Sequence, residues 1–266
     1  MSTLKVAQAQ VTSGPDPDEN LRLVAEQTAW AAAAGARLVT FPEATMRAFG
    51  LPLGPVAQPL DGPWADGVRA IAARHDVVVV VGMFTPAPDG RVTNTLLATG
   101  PGVEAAYDKI HLYDAFGFAE SATVAPGDGP VVVRVDGVGV GLATCYDVRF
   151  PEQFTALARR GAQAILLPLA WAEGPGKREQ LQLLLRARAL DSTTVVLAAD
   201  QAPPPDYAGK AARGIGRSAA VGPLGAIRQE LGREPGLLLV DLDLEEIDAA
   251  RAALPVLEHH VDLPRG

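Results

Sequence analysis

The sequence is poor in cysteine, histidine and aromatic residues, with one Cys, four His and 5% Phe, Trp and Tyr among 266 residues. A single cysteine excludes a disulfide within the chain and suits a reducing compartment, so we expect a cytoplasmic location. Lys and Arg total 23 against 31 Asp and Glu, and no basic run is present, which argues against a nucleic-acid partner. No apolar stretch approaches the roughly 18 residues of a membrane-spanning helix, and the first residues lack a signal-peptide pattern. We therefore expect no membrane partner.

Hydrophobic residues make up 48% of the chain and occur in short runs with strand or helix periodicity. Twelve runs predict β-strands, at 4–11, 37–42, 77–85, 92–99, 103–109, 131–136, 138–144, 164–170, 194–200, 217–222, 225–231 and 236–242. Five segments predict α-helices, at 17–34, 63–74, 151–160, 177–190 and 244–253.

The strands predict two packed sheets. Runs such as Val77–Val81 are apolar throughout and are typical of strands covered on both faces. Asp136-Gly137 and residues 223–225 predict antiparallel hairpins. About twelve strands with few helices fit two sheets with outer helices better than one doubly wound sheet. No linker or repeat divides the chain, so we expect one domain over 1–266, with the Pro- and Gly-rich segment 202–215 as a mobile lid or a disordered loop.

The single cysteine, Cys145, lies between a predicted strand and a helix that starts near Pro151. The unpaired N–H groups of a helix N-terminus favour an anion, so a thiolate or a neighbouring oxyanion would be stabilised there. The alternative is a small buried hydrophobic residue. A catalytic role for the thiol requires a base and a cation from elsewhere in the chain.

Two other segments place polar residues at strand ends. Glu43 follows the buried strand 37–42, and Lys109 with His111 ends the strand 103–109. Taken singly, these residues are explained by a solvated loop acid and a surface ion pair. Together with Cys145 they supply a base, a cation and a nucleophile.

Three segments resemble signatures of the nitrilase superfamily of carbon–nitrogen hydrolases: residues 41–43, 108–112 and 145–152. The resemblance extends to four further segments, at 118–121, 186–189, 216–218 and 254–260. It implies a four-layer α-β-β-α sandwich of two mixed sheets, and a homodimer or a larger assembly with helices at the interface. It also implies chemistry that needs neither a metal nor an organic cofactor.

The resemblance assigns a role to each matching residue. Cys145 would attack a carbonyl carbon, and Glu43 would take the thiol proton, pass it to the leaving group and later activate water. Lys109 would stabilise the oxyanion together with the Tyr146 N–H group. Glu120 falls at the position of the family's second glutamate and would hold Lys109 or the substrate amide.

Other residues are candidates for the walls of the pocket. Arg149 would contact a substrate carboxylate or, as we favour, pair with Asp147 or Glu152 to hold the turn. Trp171, at the end of the strand 164–170, is expected to line the pocket or to belong to the core. Phe118 is a pocket or interface candidate.

The residues flanking these segments carry weaker signals. Tyr113 and Phe116 share the alternatives given for Phe118. Lys177 and Arg178 begin a predicted helix near the pocket, and we expect them to be solvated.

The predicted partner is a small-molecule amide, hydrolysed to a carboxylate and ammonia. Residues 149–152 and 254–260 look most similar to the deaminated glutathione amidases of the superfamily, and the omega-amidases that act on 2-oxo acid monoamides are the next candidates. An N-carbamoyl amino-acid hydrolase would have a second arginine where this chain has Val148. Outside the enzymes, the alternative is a non-catalytic scaffold of the same fold.

Overall fold

The computed structural model describes residues 3–261, so the domain predicted over 1–266 includes residues 1–2 and 262–266, which lie outside the described part. Thirteen strands are present in the described part: β1 (Thr3–Gln10), β2 (Leu38–Thr40), β3 (Val78–Pro86), β4 (Val92–Gly100), β5 (Val103–Asp108), β6 (Val124–Ala125), β7 (Val131–Val135), β8 (Val138–Leu142), β9 (Ala164–Leu169), β10 (Val195–Asp200), β11 (Ala219–Val221), β12 (Ile227–Glu230) and β13 (Gly236–Asp243). The α-helices are α1 (Pro17–Ala33), α2 (Pro63–His75), α3 (Pro151–Arg159), α4 (Lys177–Ser192) and α5 (Leu244–Ala253).

The strands form two mixed sheets. The first has the order β13-β1-β2-β3-β4-β5, with β6 paired to β4, and the second has the order β12-β11-β10-β9-β8-β7. In the first sheet β1, β2 and β3 are parallel neighbours, and in the second β8, β9 and β10 are. The ends of β2 and β8, after which two of the predicted catalytic residues follow, therefore lie inside their sheets and not at the edges.

Successive side chains of a strand point to opposite faces of its sheet, and this alternation divides the core into three apolar layers. In β3, Val78 and Val80 pack between the two sheets, whereas Val79 and Val81 face α1 and α2. The outer face of the second sheet packs against α3 and α4 through residues such as Phe154. The result is helices, sheet, sheet and helices, the predicted α-β-β-α sandwich. Strands such as β3 are apolar throughout because both of their faces are buried.

Local sequence signals set the starts of the helices. Asp16 caps α1 by accepting a hydrogen bond from the Asp18 N–H at 2.8 Å, and Pro17 occupies the first turn. Pro63 and Pro151 stand at the starts of α2 and α3 in the same way. The predicted helices agree with the structure within a few residues because these caps and breakers are local.

The two predicted hairpins are confirmed, since β7 pairs antiparallel with β8 and β11 with β12. The short strand β6 was not predicted, because two residues carry no periodic signal. A 3-10 helix, Cys145–Arg149, lies between β8 and the predicted helix that starts at Pro151. Among the described residues, no helix has both the length and the apolar character needed to cross a membrane.

Candidate active site

Segments that follow strand ends bring their side chains to one cavity of about 180 Å³. Glu43 lies three residues after β2, Lys109 directly after β5, and Cys145 three residues after β8. Because the two sheets pack face to face, these ends meet although the residues are far apart in the chain. All eight of the predicted site residues line this cavity: Glu43, Lys109, Phe118, Glu120, Cys145, Tyr146, Arg149 and Trp171.

A buried ammonium lies between two carboxylates at the base of the cavity. Lys109 Nζ donates to Glu43 Oε1 at 2.9 Å and to Glu120 Oε1 and Oε2 at 3.1 and 2.9 Å. The side chains of Lys109 and Glu43 are only 2% and 1% exposed, and that of Glu120 is 11% exposed. Buried charges require this kind of pairing, and removal of one partner leaves the others uncompensated.

Two further groups hold Glu43, and the sequence reasoning missed both. Asn94 on β4 donates from Nδ2 to Glu43 Oε1 at 2.8 Å and to Glu120 Oε1 at 3.4 Å. The Ala170 N–H group donates to Glu43 Oε2 at 3.0 Å. A buried amide inside a predicted strand was a signal for Asn94, because such a group needs partners. The Ala170 N–H group carries no sequence signal at all.

Cys145 is held in a backbone conformation that side-chain-bearing residues rarely adopt, with φ of +44°. It begins the 3-10 helix, and it lines the same cavity as Glu43. The preceding Thr144 N–H group donates to Asp147 Oδ2 at 2.8 Å and fixes the turn. Strain of this kind is found where the surrounding structure over-determines the position of a functional group.

The pKa directions follow from burial and from the paired charges. Burial and the negative charge of Glu43 raise the pKa of the Cys145 thiol well above its ordinary value, against weaker opposition from Lys109 and the Ala170 N–H. Burial also raises the pKa of Glu43, and Lys109 opposes it. Burial disfavours the Lys109 ammonium, but Glu43 and Glu120 outweigh it and raise the Lys109 pKa. Burial and Glu43 thus favour the thiol form of Cys145 over the thiolate that a helix N-terminus alone would favour.

Asp147, which is fully buried, joins the lysine segment to the cysteine segment. Its Oδ2 accepts from the Tyr107 hydroxyl at 2.5 Å as well as from Thr144 N. Its Oδ1 accepts from the His111 N–H at 3.0 Å, and His111 Nδ1 lies 2.8 Å from the same oxygen. Tyr107 and His111 flank Lys109, so this one carboxylate fixes Lys109 relative to Cys145.

Arg149 does not pair with Asp147 or Glu152, and the favoured interpretation of Arg149 is wrong in that respect. Its Nη2 donates to Gln180 at 3.2 Å, and its guanidinium carbon lies 5.3 Å from the centre of the Trp171 ring. Asp147 is already occupied by its own donors. The guanidinium is left on the wall of the cavity, where it is available to an anionic group.

Lys177 also lines the cavity, contrary to the expectation that it is solvated. Its Nζ lies 4.2 Å from the centre of the Phe116 ring and 5.8 Å from that of Trp171. Burial and the nearby charge of Arg149 lower the Lys177 pKa. Two cations thus flank the Trp171 ring.

Further aromatic rings of the cavity wall adjoin these cations, since the Arg149 guanidinium carbon lies 5.9 Å from the centre of the Tyr146 ring and Lys177 Nζ lies 6.0 Å from that of Tyr113. Tyr113 contacts Phe118 with ring centres 5.5 Å apart and Tyr146 at 5.1 Å. The Tyr113 N–H group donates to Glu120 Oε2 at 2.6 Å. The wall is therefore fastened to the carboxylate that holds Lys109.

The segment predicted as a lid, 202–215, runs beside the cavity, and Ala212 is part of the lining. Asp200, at the end of β10, anchors it by accepting from the N–H groups of Ile215 and Trp171, each at 2.9 Å. Burial raises the pKa of Asp200 to about 8, although these N–H groups oppose the shift. The mobility of the segment stays a prediction.

The model of the carbon–nitrogen hydrolase family matches residues 5–252 of the chain. A protein from Mycobacterium tuberculosis named only as a hydrolase is 54% identical over 97% of this chain and 96% of its own length. A deaminated glutathione amidase from Synechocystis is 33% identical over 98% and 99%, and the omega-amidase of Mus musculus is 31% identical over 97% and 95%.

Solved structures of amidases and other nitrilase-superfamily members are also similar to this chain. The amidase from Nesterenkonia sp. AN1 carrying the acetamide moiety of fluoroacetamide on its active-site cysteine has a TM-score of 0.79 and 32% identity, covering 95% of each chain. Nit3 of Saccharomyces cerevisiae, a member of branch 10 of the nitrilase superfamily, has a TM-score of 0.84 and 26% identity, covering 96% of this chain and 95% of its own. The chain therefore belongs to the carbon–nitrogen hydrolase family, within the nitrilase superfamily.

Proposed function

We propose that this protein is an amidase that cleaves a small linear amide through a thioester on Cys145. The observation that carries the proposal is the meeting of Cys145 with Glu43 and Lys109 in one cavity, where Lys109 Nζ donates to Glu43 Oε1 at 2.9 Å. This arrangement places a nucleophile, a base and a cation together in one site. A scaffold has no use for such a cluster, which costs desolvation energy to bury.

In the first half of the reaction, the thiol proton of Cys145 moves to Glu43 while the sulfur bonds to the amide carbon. The oxyanion that forms is stabilised by Lys109 Nζ and the Tyr146 N–H group. When the intermediate collapses, the C–N bond breaks and the leaving nitrogen takes the proton from Glu43. The product that remains on the enzyme is the thioester.

In the second half, Glu43 removes a proton from water, and the resulting hydroxide attacks the thioester carbon. The C–S bond breaks, the proton returns to sulfur, and the carboxylate leaves. Glu120 and Asn94 hold Lys109 and Glu43 in position through both halves. The residues form one coupled unit, so pH profiles report on the cluster as a whole.

The cavity favours an amide that carries a carboxylate. Arg149 and Lys177 lie on its wall with no carboxylate partner among residues 3–261, next to the aromatic residues. Deaminated glutathione is the first candidate, since relatives with that name are 33–36% identical to this chain. A 2-oxo acid monoamide is the second, supported by the omega-amidase relative at 31%. The amine lost from deaminated glutathione is cysteinylglycine, whereas the monoamide releases ammonia.

The chain is less suited to N-carbamoyl amino acids. The second arginine of such an enzyme would stand at Val148, which is buried in the apolar core under the second sheet. The proposed location is the cytoplasm, where the single thiol stays reduced.

The test is product formation from deaminated glutathione, 2-oxoglutaramate, an N-carbamoyl amino acid and a simple nitrile. The first two substrates both yield 2-oxoglutarate, so one coupled assay compares them directly. Cys145→Ala should lower turnover by at least ~10³ while the circular dichroism spectrum and Tm stay close to wild type. Cys145→Ser is the matched variant, because its hydroxyl is close to the thiol in size and remains a hydrogen-bond donor.

Activity of Cys145→Ala within about tenfold of wild type would overturn the thioester mechanism. Hydrolysis of the carbamoyl compound alone would replace the proposed substrate class. If the wild-type protein hydrolyses none of the four compounds and its Cys145 thiol resists alkylation, the non-catalytic scaffold is favoured.

A further inference from the structure

A second cavity, of about 170 Å³, adjoins the catalytic cavity through Lys177, which lines both. The two cavities also share one flanking segment, since residues 170–172 line the first and residues 173–174 line the second. We call the second cavity the outer cleft. A substrate at Cys145 that is long enough to pass Lys177 therefore extends into the outer cleft.

The outer cleft is strongly basic in an otherwise acidic chain. Four of its lining residues are cationic and one is acidic: Lys177, Arg178, Arg217, Arg233 and Glu173. The chain as a whole has a formal net charge of −8. A concentration of positive charge against that background attracts anions to this one place.

Two of the four cations are already neutralised. Arg233 forms a two-point ion pair with Glu173, with nitrogen–oxygen distances of 2.5 and 3.1 Å. Arg178 pairs with Glu230 at 3.0 Å. Among residues 3–261, Arg217 and Lys177 have no carboxylate partner. The cleft therefore offers one guanidinium and one ammonium to an incoming anion.

The backbone around Arg217 is fixed. Its φ is +64°, and its N–H group donates to the Gly232 carbonyl at 3.0 Å. The preceding Gly216 packs so closely on Arg233 that a Cβ there would lie 2.6 Å from the Arg233 carbonyl oxygen. The half-buried Arg217 side chain therefore starts from a rigid base, which lowers the entropy lost when it binds.

We propose that the outer cleft binds a second carboxylate of the substrate, one that is separated by several bonds from the scissile carbonyl and is held by Arg217 with Lys177. This inference rests on the proposed amidase function. Deaminated glutathione carries a 2-oxo acid on the acyl side of its scissile amide and a glycine carboxylate on the leaving side. Arg149 would take the first carboxylate and the outer cleft the second. A 2-oxo acid monoamide has no group for the outer cleft.

The experiment compares kcat and KM for deaminated glutathione, its glycine-carboxamide analogue and 2-oxoglutaramate. Arg217→Gln should raise the KM for deaminated glutathione about tenfold, the order expected for one charge-assisted hydrogen bond. It should leave kcat for that substrate, and kcat/KM for the other two, within about twofold of wild type. Arg217→Lys should recover part of the loss. Arg22→Gln, an equal charge change on an exposed arginine of α1, is the control and should alter none of these values.

An unchanged KM for deaminated glutathione in Arg217→Gln would overturn the proposal. So would an equal loss on all three substrates, which a general disturbance of the site would cause. Wild-type hydrolysis of 2-oxoglutaramate alone would refute the outer cleft as a substrate subsite and leave the amidase function in place. If the wild-type protein hydrolyses none of these amides, both the outer-cleft proposal and the proposed amidase function are refuted.

Discussion

At the scale of single residues, the position of one proton decides whether Cys145 reacts. Burial raises the pKa of both Cys145 and Glu43, so neither group ionises as readily as it would in water. Glu43 has to be ionised to accept the thiol proton, and the thiol has to be intact to donate it. The pair is therefore active when the proton is on sulfur and the charge is on Glu43.

The kcat/KM of the amidase reaction should consequently fall at acid pH. Below the pKa of Glu43 the carboxyl is protonated and cannot act as a base, and since that pKa lies above the ordinary 4.5, the acid limb of kcat/KM should lie above pH 4.5. The raised pKa of Lys109 keeps the ammonium charged through neutral and mildly alkaline pH. An acid limb below pH 4.5 in a pH–rate profile would contradict this assignment.

Glu120→Gln tests the charge coupling within the same cluster. The negative charge of Glu120 raises the pKa of Glu43, so its removal should move the acid limb to lower pH. Since Lys109 loses one of its two anchors, kcat should also fall, by about 10²-fold for a displaced catalytic group.

The matched control for Glu120→Gln is Glu104→Gln, which removes an acid paired with Arg69 at the surface and should change neither quantity. Wild-type kcat and an unmoved acid limb in Glu120→Gln would show that Glu120 is only a loop acid.

At the scale of the elements, Asp147 fastens the 3-10 helix to the end of β5. In Asp147→Asn, an NH₂ group, which donates, replaces one acceptor oxygen of the carboxylate. The new donor faces either the existing donors from Tyr107 and Thr144 or those from His111. The free energy of unfolding should therefore fall by about 1–3 kcal/mol, the cost of unsatisfied buried groups. Because Lys109 and Cys145 then lose their common anchor, kcat should fall as well.

Urea denaturation and steady-state kinetics measure the two effects of Asp147→Asn. Tyr107→Phe is the control for kcat, because Asp147 keeps its donors from Thr144 and His111. Its free energy of unfolding should also fall by about 1–3 kcal/mol, since Gln153 Nε2 and the Ile110 N–H group lose the Tyr107 hydroxyl as an acceptor. Equal stability and equal kcat in Asp147→Asn and wild type would refute the role of Asp147 as a fastener.

Asp200 links the end of segment 202–215 to the loop after β9, and its pKa gives a signed prediction. The pKa rises from the ordinary 3.8 to about 8 in the folded protein, so between these values the unfolded chain ionises and the folded chain does not. The folded state binds more protons there, and stability falls as pH rises by up to about 1.4 kcal/mol per pH unit.

Asp200→Asn lacks this ionisation. The stability of wild type relative to Asp200→Asn should therefore be greatest near pH 4 and should decline to a plateau above about pH 8. Unfolding free energies across this range provide the measurement. A difference that does not vary with pH would contradict the raised pKa.

At the scale of the whole molecule, we propose that two copies pair through the surface of α4 and the adjoining hairpin. Leu183 and Leu190 on α4 and Leu224 beside them are 69%, 38% and 55% exposed, which is unusual for leucine side chains in a group. A Cβ on Gly225 would lie 3.0 Å from Leu190, so the helix and the hairpin form one continuous surface.

Light scattering should accordingly give about twice the chain mass of 27.7 kDa. Leu183→Asp should shift the protein toward the single-chain mass, because a charge would be buried at the interface. Trp30→Asp, which changes a residue that is 56% exposed on α1, is the control and should leave the mass unchanged. A wild-type mass of one chain would refute the pairing.

The sequence by itself determined most of the architecture and predicted the residues that we propose as catalytic. Helix caps, prolines and apolar periodicity act over a few residues, so the helices and nearly all of the strands were predicted close to their observed bounds. Five of the eight predicted site residues lie in the three segments that resemble one family. Phe118 and Glu120 lie in a fourth such segment, and Trp171 was predicted from its place at the end of a strand. Sequence also predicted the chemistry, since the residue types at 43, 109 and 145 are those that an acyl transfer requires.

The tertiary structure alone decided how the cluster is supported and what faces the substrate. The Ala170 N–H group reaches Glu43 across 127 residues of sequence and Asn94 reaches it across 51, distances at which no local pattern operates. Asp147 bonds Tyr107 and His111 in place of Arg149, which leaves the arginine on the cavity wall. Burial favours the neutral thiol of Cys145, because desolvation depends on every layer packed around the thiol. Periodicity and capping are local, whereas ion pairing and desolvation depend on which distant segments the two sheets bring together.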